Sequence, residues 1–346
     1  MKCSSTTTHY IVCGHETGDM TTQTRTTRLA PSPTGGLHLG NARSFLLNWA
    51  IGRREGWSVR LRMDDLETER CSAEAEEAAL VALEWLGMDH DGPIIRQTAT
   101  FASHRAALEK LSEAGLIFAC DRSRRELRAA AEALGAPHES GSNLVSTPGM
   151  RPEDPAAWCL RTGDVNHRLA LEPGEEHVED ALSGTRCFDP LTCFGDPILW
   201  TRRDTAAYHL ASVVDDLEAG VTDVIRGEDL MPSAALHQRL CRLLGGEAPR
   251  WWHLPLVLDH EGRRLAKRDG DLTLTALRAR GVPAPRVVGL IAWSCGVQDT
   301  RTPMTAAEFV QALDVDALTE WARAESREGG YRLLPEDLDW LERRTT

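Results

Sequence analysis

The chain has 346 residues, 42% of them hydrophobic and 26% charged, enough to bury a sizeable core and to divide into two domains. Its formal net charge of −13 sets up a field that repels phosphate, which excludes indiscriminate nucleic-acid binding and leaves room only for a local basic groove. No apolar run approaches the length of a membrane span.

The N-terminal stretch is polar and threonine-rich, without the apolar core of a secretory signal. The sequence therefore predicts a cytoplasmic protein with a flexible extension over 1–25. Cysteines stand at Cys3, Cys13, Cys71, Cys120, Cys159, Cys187, Cys193, Cys241 and Cys295, form no C-x-x-C pair, and read as reduced thiols. "TTRLA" (26–30) predicts a strand running into the loop "PSPTGGLHLG". Asn41 is the expected cap of a helix that reaches Arg54 and ends at Gly56. "WSVRLRM" (57–63) alternates as a second strand, and "AEAEEAALVALEWLG" predicts a helix ending at Gly87. Strand, loop, helix, strand, helix is how a doubly wound α/β parallel sheet begins, here over 26–100.

Over 101–197 the pattern changes to an expected inserted α+β subdomain. A helix at 102–114 leads to the strand "LIFAC" and a helix opened by a Ser123–Glu126 capping box. A Gly/Pro/Ser-rich loop (135–156) then precedes the β-like pieces "WCLRT" and "HRLAL". The α/β rhythm returns over 198–272, with "AAYHLASVVDDLEAG" and "SAALHQRLCRLLGG" as helices and "VTDVIRG" and "HLPLVLD" as strands. From 273 to 346 the chain is helical and increasingly acidic, and no dimerisation stripe is visible, so a monomer is expected.

Two loops carry the chemistry. Gly35 and Gly40 have P-loop spacing, but Asn41–Ala42 stand where Lys–Ser/Thr must be, and no G-x-G-x-x-G is present. What remains is a glycine at a helix start after the first strand, where free N–H groups attract phosphate and a missing side chain lets a flat base approach. His38 projects into the same place as a donor to phosphoryl oxygens. The second loop follows a predicted parallel strand and holds Lys267, one of three lysines (with Lys2 and Lys110) in an arginine-dominated chain. A mobile ammonium suits a moving triphosphate better than a guanidinium fork.

"APSPTGGLHLGNAR" resembles the H-I-G-H signature of class I aminoacyl-tRNA synthetases in its glutamate-specific form, and "RRLAKRD" resembles their K-M-S-K-S loop. "LRMDDLETER" and "AYHLASVVDDLEAGVTDVIRGEDL" resemble two further blocks of that group, in order across 28–275. The resemblance implies a Rossmann-like catalytic sheet with an inserted subdomain and a short helical C-terminal region. It places Arg28, Ser32, Tyr208 and Arg226 on glutamate-binding positions, and Asp64 where the family has a glutamate for the substrate ammonium. It implies ATP with Mg2+ as substrate, held by Pro33, Thr34, Gly35, His38, Gly40, Asn41, Leu265 and Lys267. His38, Gly40 and Lys267 would be the catalytic group, stabilising charge as glutamate's α-carboxylate attacks the α-phosphate.

The short stretch beyond Gly270 leaves no room for an anticodon-binding domain, which resembles the glutamyl-Q tRNA(Asp) synthetases, a bacterial branch that attaches glutamate to queuosine in the anticodon of tRNA(Asp). In that reading Arg122, Arg124, Arg125, Arg202 and Arg203 are phosphate contacts to the anticodon stem-loop. The alternatives are a truncated glutamyl-tRNA synthetase charging tRNA(Glu) and a non-catalytic tRNA-binding paralogue. Members of the branch often hold zinc in the insert. Here Cys120 survives, but Arg122, Ser146 and Met150 occupy the other ligand positions, so zinc is expected to be absent and no residue is read as a metal ligand.

Overall fold

The computed structural model describes residues 24–122, 126, 148–263, 265 and 272–343. β1 (Thr26–Leu29) is followed by α1 (Leu39–Arg54), β2 (Ser58–Met63), α2 (Ala73–Trp85), β3 (Ile95–Arg96) and α3 (Phe101–Glu113). β1, β2 and β3 run parallel in that order. The apolar stripe of α1, including Leu46, Leu47, Ala50 and Ile51, is fully buried against them. The cap of α1 differs from expectation: it is His38, whose Nδ1 accepts from the Asn41 N–H (3.3 Å), while Asn41 Oδ1 accepts from the His38 N–H (3.1 Å). Asparagine has moved from cap to third helical position because the imidazole supplies the acceptor that a cap requires.

The next segment contributes β4 (Ile117–Cys120), β5 (Asn166–Leu169), β6 (Glu176–Asp180), β7 (Gly184–Phe188), the short helix α4 (Pro190–Phe194) and β8 (Ile198–Trp200). β4, β5 and β8 form an antiparallel sheet. "WCLRT", expected as β-like, is not a strand: the Arg161 N–H donates to the ring Nε2 of His167 (3.0 Å) instead of joining a ladder. The expected helix opened by Ser123 lies outside the described residues, Glu126 apart.

After α5 (Tyr208–Glu218) come β9 (Asp223–Gly227), α6 (Met231–Leu243), β10 (Arg250–Leu254) and β11 (Val257–Leu258). "HLPLVLD" is thus not one strand. Pro255 lacks the N–H to continue the ladder, and β10 begins three residues earlier than expected, at Arg250. β9 and β10 pair in parallel, and β6 joins the far edge of β10 with β7 antiparallel outside it. The 176–188 hairpin, expected within the insert, therefore extends the main sheet.

β1 abuts β9: the Thr222 N–H donates to the Thr26 carbonyl (2.9 Å) and the Thr26 N–H to Thr222 Oγ1 (2.8 Å). The buried Asn48 amide on α1 donates to the carbonyls of both Arg28 (2.9 Å) and Ile225 (3.4 Å), bridging the two half-sheets at their junction. Ligands of doubly wound sheets bind at the carboxyl ends beside such a switch point. The C-terminal helices are α7 (Leu274–Ala279), α8 (Ala284–Ser294), α9 (Ala306–Ala312), α10 (Val315–Arg327) and α11 (Pro335–Glu342), with β12 (Tyr331–Arg332) pairing with β11. Among the described residues no helix is long and apolar enough to cross a membrane.

Candidate active site

The carboxyl ends of β1, β2 and β9 and the loop 30–38 enclose a cleft of about 300 Å³. Arg28, Ser32, Asp64, Tyr208 and Arg226 all line it. So do Gly35, His38, Gly40, Asn41 and Leu265. Pro33 and Thr34 do not, although both lie in the same loop: the Pro33 carbonyl accepts from the Ser72 N–H (3.3 Å), and the Thr34 N–H turns back to the Ser32 carbonyl (2.8 Å). Lys267 lies outside the described residues, but its flanks are fixed at the cleft. Leu265 N–H donates to the Val257 carbonyl (3.3 Å), Thr273 bridges to His38, and Leu274 N–H donates to the Leu37 carbonyl (2.7 Å).

Gly40 sits in the first turn of α1, at the cleft wall. A Cβ there would lie 3.1 Å from His38 Cε1 and Nδ1 and 3.6 Å from Val257. The glycine thus keeps the histidine ring in its capping position and leaves the helix start bare.

Deeper in the cleft lies a buried charge network that sequence reasoning only half found. Arg62 donates through Nε to Asp64 (2.8 Å) and through Nη1 to Asp216 (2.5 Å), and Arg28 Nε donates to Asp216 (3.1 Å). Burial works against the Arg62 cation, but Asp64, Asp216 and Asp215 more than offset it and raise its pKa. Burial would likewise raise Asp216, yet Arg28 and Arg62 hold its carboxyl below the ordinary range. Asp64 goes the other way. Burial, helped by the Asp216 charge, outweighs Arg62 and Arg28 and lifts its carboxyl above the ordinary value. Asp215, next to Asp216 in the chain, borders this network 4.0 Å from Arg62 Nε and takes its hydrogen bonds from the other side, accepting from Gln97 and Thr100 (2.8 Å each) and lying 2.8 Å from the His104 ring.

Arg226 is held differently. It is buried, has no carboxylate within ion-pair distance among the described residues, and donates its hydrogen bonds to neutral groups, with the charges of Arg28 and Asp216 acting on it from further off. Nη2 donates to the Leu230 carbonyl (3.0 Å), Nη1 to the Tyr208 hydroxyl (3.4 Å) and Nε to His253 Nε2 (3.3 Å), with the Trp251 ring 5.0 Å from the guanidinium carbon. His253 lies with Nδ1 2.8 Å from Asp180, so the neutral Nδ1–H tautomer donates to the carboxylate and leaves Nε2 to accept from Arg226. Burial lowers the His253 pKa, with the Arg226 cation adding to it against Asp180. Burial and Arg226 push His209 down to about 4, and His237, 3.1 Å from it, well below its ordinary value. Burial also lowers Arg226 itself. A guanidinium remains charged at neutral pH regardless. Arg226 is therefore a desolvated cation without a directly paired carboxylate, an arrangement suited to binding one.

Arg62, Asp216, Asn48 and Ser212 were not anticipated. Ser212 lines the cleft one turn after Tyr208, with its hydroxyl buried and unpartnered. A polar residue on the buried face of the α5 helix was the available signal. In the insert, Cys120 is buried against Phe118, Ala170 and Trp158, Met150 is buried, and Arg122 is exposed; Ser146, Arg124 and Arg125 lie outside the described residues. Arg202 and Arg203 are exposed beside Asp164 (3.6 Å) and Glu69 (2.8 Å).

A family model for tRNA synthetases class I (E and Q), catalytic domain, matches residues 25–328. The chain is 36% identical over 304 residues to a glutamyl-Q tRNA(Asp) synthetase of Nitratidesulfovibrio vulgaris, covering 84% of this chain and 92% of that one. It is 35% identical over 327 residues to glutamate–tRNA ligase 1 of Xanthobacter autotrophicus, covering 91% of this chain and 67% of that one. The crystal structure of a glutamate tRNA ligase from Elizabethkingia meningosepticum, in complex with its amino acid, superposes with a TM-score of 0.73 at 26% identity, covering 92% of this chain and 69% of that one. With its parallel sheet, its cleft at the sheet junction and these matches, the chain belongs to the class I tRNA synthetases of the E and Q type, a family of ligases.

Proposed function

We propose that this enzyme activates L-glutamate with ATP·Mg2+ and passes the glutamyl group to queuosine in the anticodon of tRNA(Asp). The observation that carries the glutamate assignment is the Arg226 cation, without a directly paired carboxylate, in the same cleft as the Asp64 carboxylate. A substrate carboxylate pairs with Arg226 and Tyr208, and Arg28 and Ser32 border the same pocket. Asp64 takes the ammonium, one methylene further away than the family's glutamate would. In the first step a glutamate carboxylate oxygen attacks the α-phosphate and pyrophosphate leaves. In the second a hydroxyl of the acceptor attacks the acyl carbon and AMP leaves. His38, Gly40 and Lys267 serve the phosphates, by positioning and charge stabilisation.

The queuosine assignment rests on relatives. Proteins named glutamyl-Q tRNA(Asp) synthetase are matched at 36–37% identity over 84–92% of their own length. Glutamate–tRNA ligases are matched at 35–37% over 61–67% of theirs, which keeps charging of tRNA(Glu) as the second reading. The protein acts in the cytoplasm as a monomer in this reading. Its insert holds no zinc, since a buried Cys120 and a buried Met150 beside an exposed Arg122 are not a tetrahedral ligand set.

The test is transfer of labelled glutamate to tRNA pools from cells with and without queuosine. Label on tRNA(Asp) only in the queuosine-containing pool is expected. Label on the 3′ end of tRNA(Glu) overturns the acceptor, and absence of glutamate-dependent pyrophosphate exchange, with and without tRNA, overturns the enzyme reading.

A further inference from the structure

The β6–β7 hairpin carries a second constellation, on the face turned away from the cleft residues. His177 and Cys187 are direct cross-strand partners in the antiparallel register, and Glu175, two residues before His177, lies beside them. Backbone pairing brings His177 and Cys187 together, since such partners have Cβ atoms about 4.5–5.5 Å apart, and Glu175 joins them from the residue just before β6. Cys187 Sγ lies 3.1 Å from His177 Nδ1 and 3.8 Å from Glu175 Oε2, and one ligand atom from each residue falls within 4.8 Å of the others. Tetrahedral zinc with bonds of about 2.3 Å to sulfur and 2.0–2.2 Å to nitrogen and oxygen needs ligand atoms separated by roughly 3.3–3.6 Å. The observed spacings bracket that range. Among the described residues no other His, Cys, Asp or Glu group meets the same condition.

The scaffold under these side chains is anchored. On the opposite face Glu176 accepts from Arg239 (2.8 Å) and Arg242 (2.5 Å), Val178 is fully buried, and Asp180 holds His253. Gln238 on α6 donates to the His177 carbonyl (3.2 Å), fixing the backbone of the central residue. We infer that Glu175, His177 and Cys187 form a zinc site with three protein ligands and one open position, pinning the edge strand β7 to β6. Thiolate with imidazole favours zinc over the hard cations, which take oxygen ligands.

The inference is independent of the acceptor and of the insert, and its test uses the full chain. After chelator treatment the protein is titrated with CoCl2 and then ZnCl2. One equivalent of cobalt should produce a thiolate-to-cobalt charge-transfer band and the intense visible absorption of tetrahedral Co2+, both bleached by one equivalent of zinc. Cys187→Ser should abolish the thiolate band, and His177→Ala should weaken cobalt affinity at least tenfold. These side chains are exposed, so neither change threatens folding, and glutamate-dependent pyrophosphate exchange should persist in both variants. A wild-type protein without the thiolate band overturns the site. So does a band unchanged in Cys187→Ser, which would assign the metal to other cysteines, those of the insert included.

Discussion

Replacing His253 with phenylalanine removes the one side chain that links Arg226 to Asp180. The ring's volume is kept, but Arg226 Nε loses its acceptor, and Asp180 loses the Nδ1–H at 2.8 Å. Asp180 keeps the backbone N–H groups of His253 (2.9 Å) and Ser183 (2.8 Å), so most of the damage falls on Arg226. A hydrogen bond to a charged group contributes about 1.5–3 kcal/mol. If it orients the guanidinium toward substrate, KM for glutamate rises by about 10–150-fold. Steady-state pyrophosphate exchange, run with tRNA present and varied separately in glutamate and ATP, should show that rise with KM for ATP unchanged. His253→Gln, which can still offer Arg226 an acceptor, should recover part of the loss. A folded His253→Phe protein whose KM for glutamate stays within twofold of wild type refutes the reasoning.

Asp64→Glu lengthens the carboxylate by one methylene. Exchanging a bridged ammonium contact for a direct one is worth up to about 2 kcal/mol, so KM for glutamate should not rise and should fall by up to about 30-fold, and a higher value counts against Asp64 as the ammonium partner. Gly40→Ala improves helix propensity but presses a methyl to 3.1 Å from the His38 ring. Melting temperature should hardly move while the exchange rate falls by on the order of 10²; undiminished exchange would show that the ring's position is unimportant. Acid stability follows from His209. Its folded pKa is depressed to about 4, so below roughly pH 6.5 the unfolded chain takes up a proton that the folded one refuses. Stability should fall as pH drops from about 6.5 to 4, by about 3 kcal/mol from this residue. Urea titrations of wild type and His209→Gln should diverge in that window, and parallel curves would contradict it.

The first strand, the loop after it and the helix beyond were legible because the prolines and glycines mark the turn and the apolar-rich run from Leu46 to Ile51 follows it at helix length. Residues sharing the cleft were reached through motif resemblance, since Arg28 and Arg226 stand far apart in the chain. Arg62 was hidden for a physical reason. In "WSVRLRM" its alternation reads as an outward polar position, and its partner Asp216 lies 154 residues away. The 176–188 hairpin was missed although "EHVED" alternates, because two of its three inward residues are the acids Glu176 and Asp180 and Val178 alone gives little apolar signal. The two acids are buried only because Arg239, Arg242 and His253 arrive from elsewhere to pair with them. Capping by His38 was illegible for a similar reason, as Asn41 is the residue that propensity favours.

That cap has a chemical consequence. With Nδ1 accepting the Asn41 amide hydrogen, the neutral imidazole must carry its proton on Nε2. Toward a nucleotide the ring can then only give a hydrogen and never take one, which rules it out as a proton acceptor. Any base in the acyl-transfer step has to be sought elsewhere.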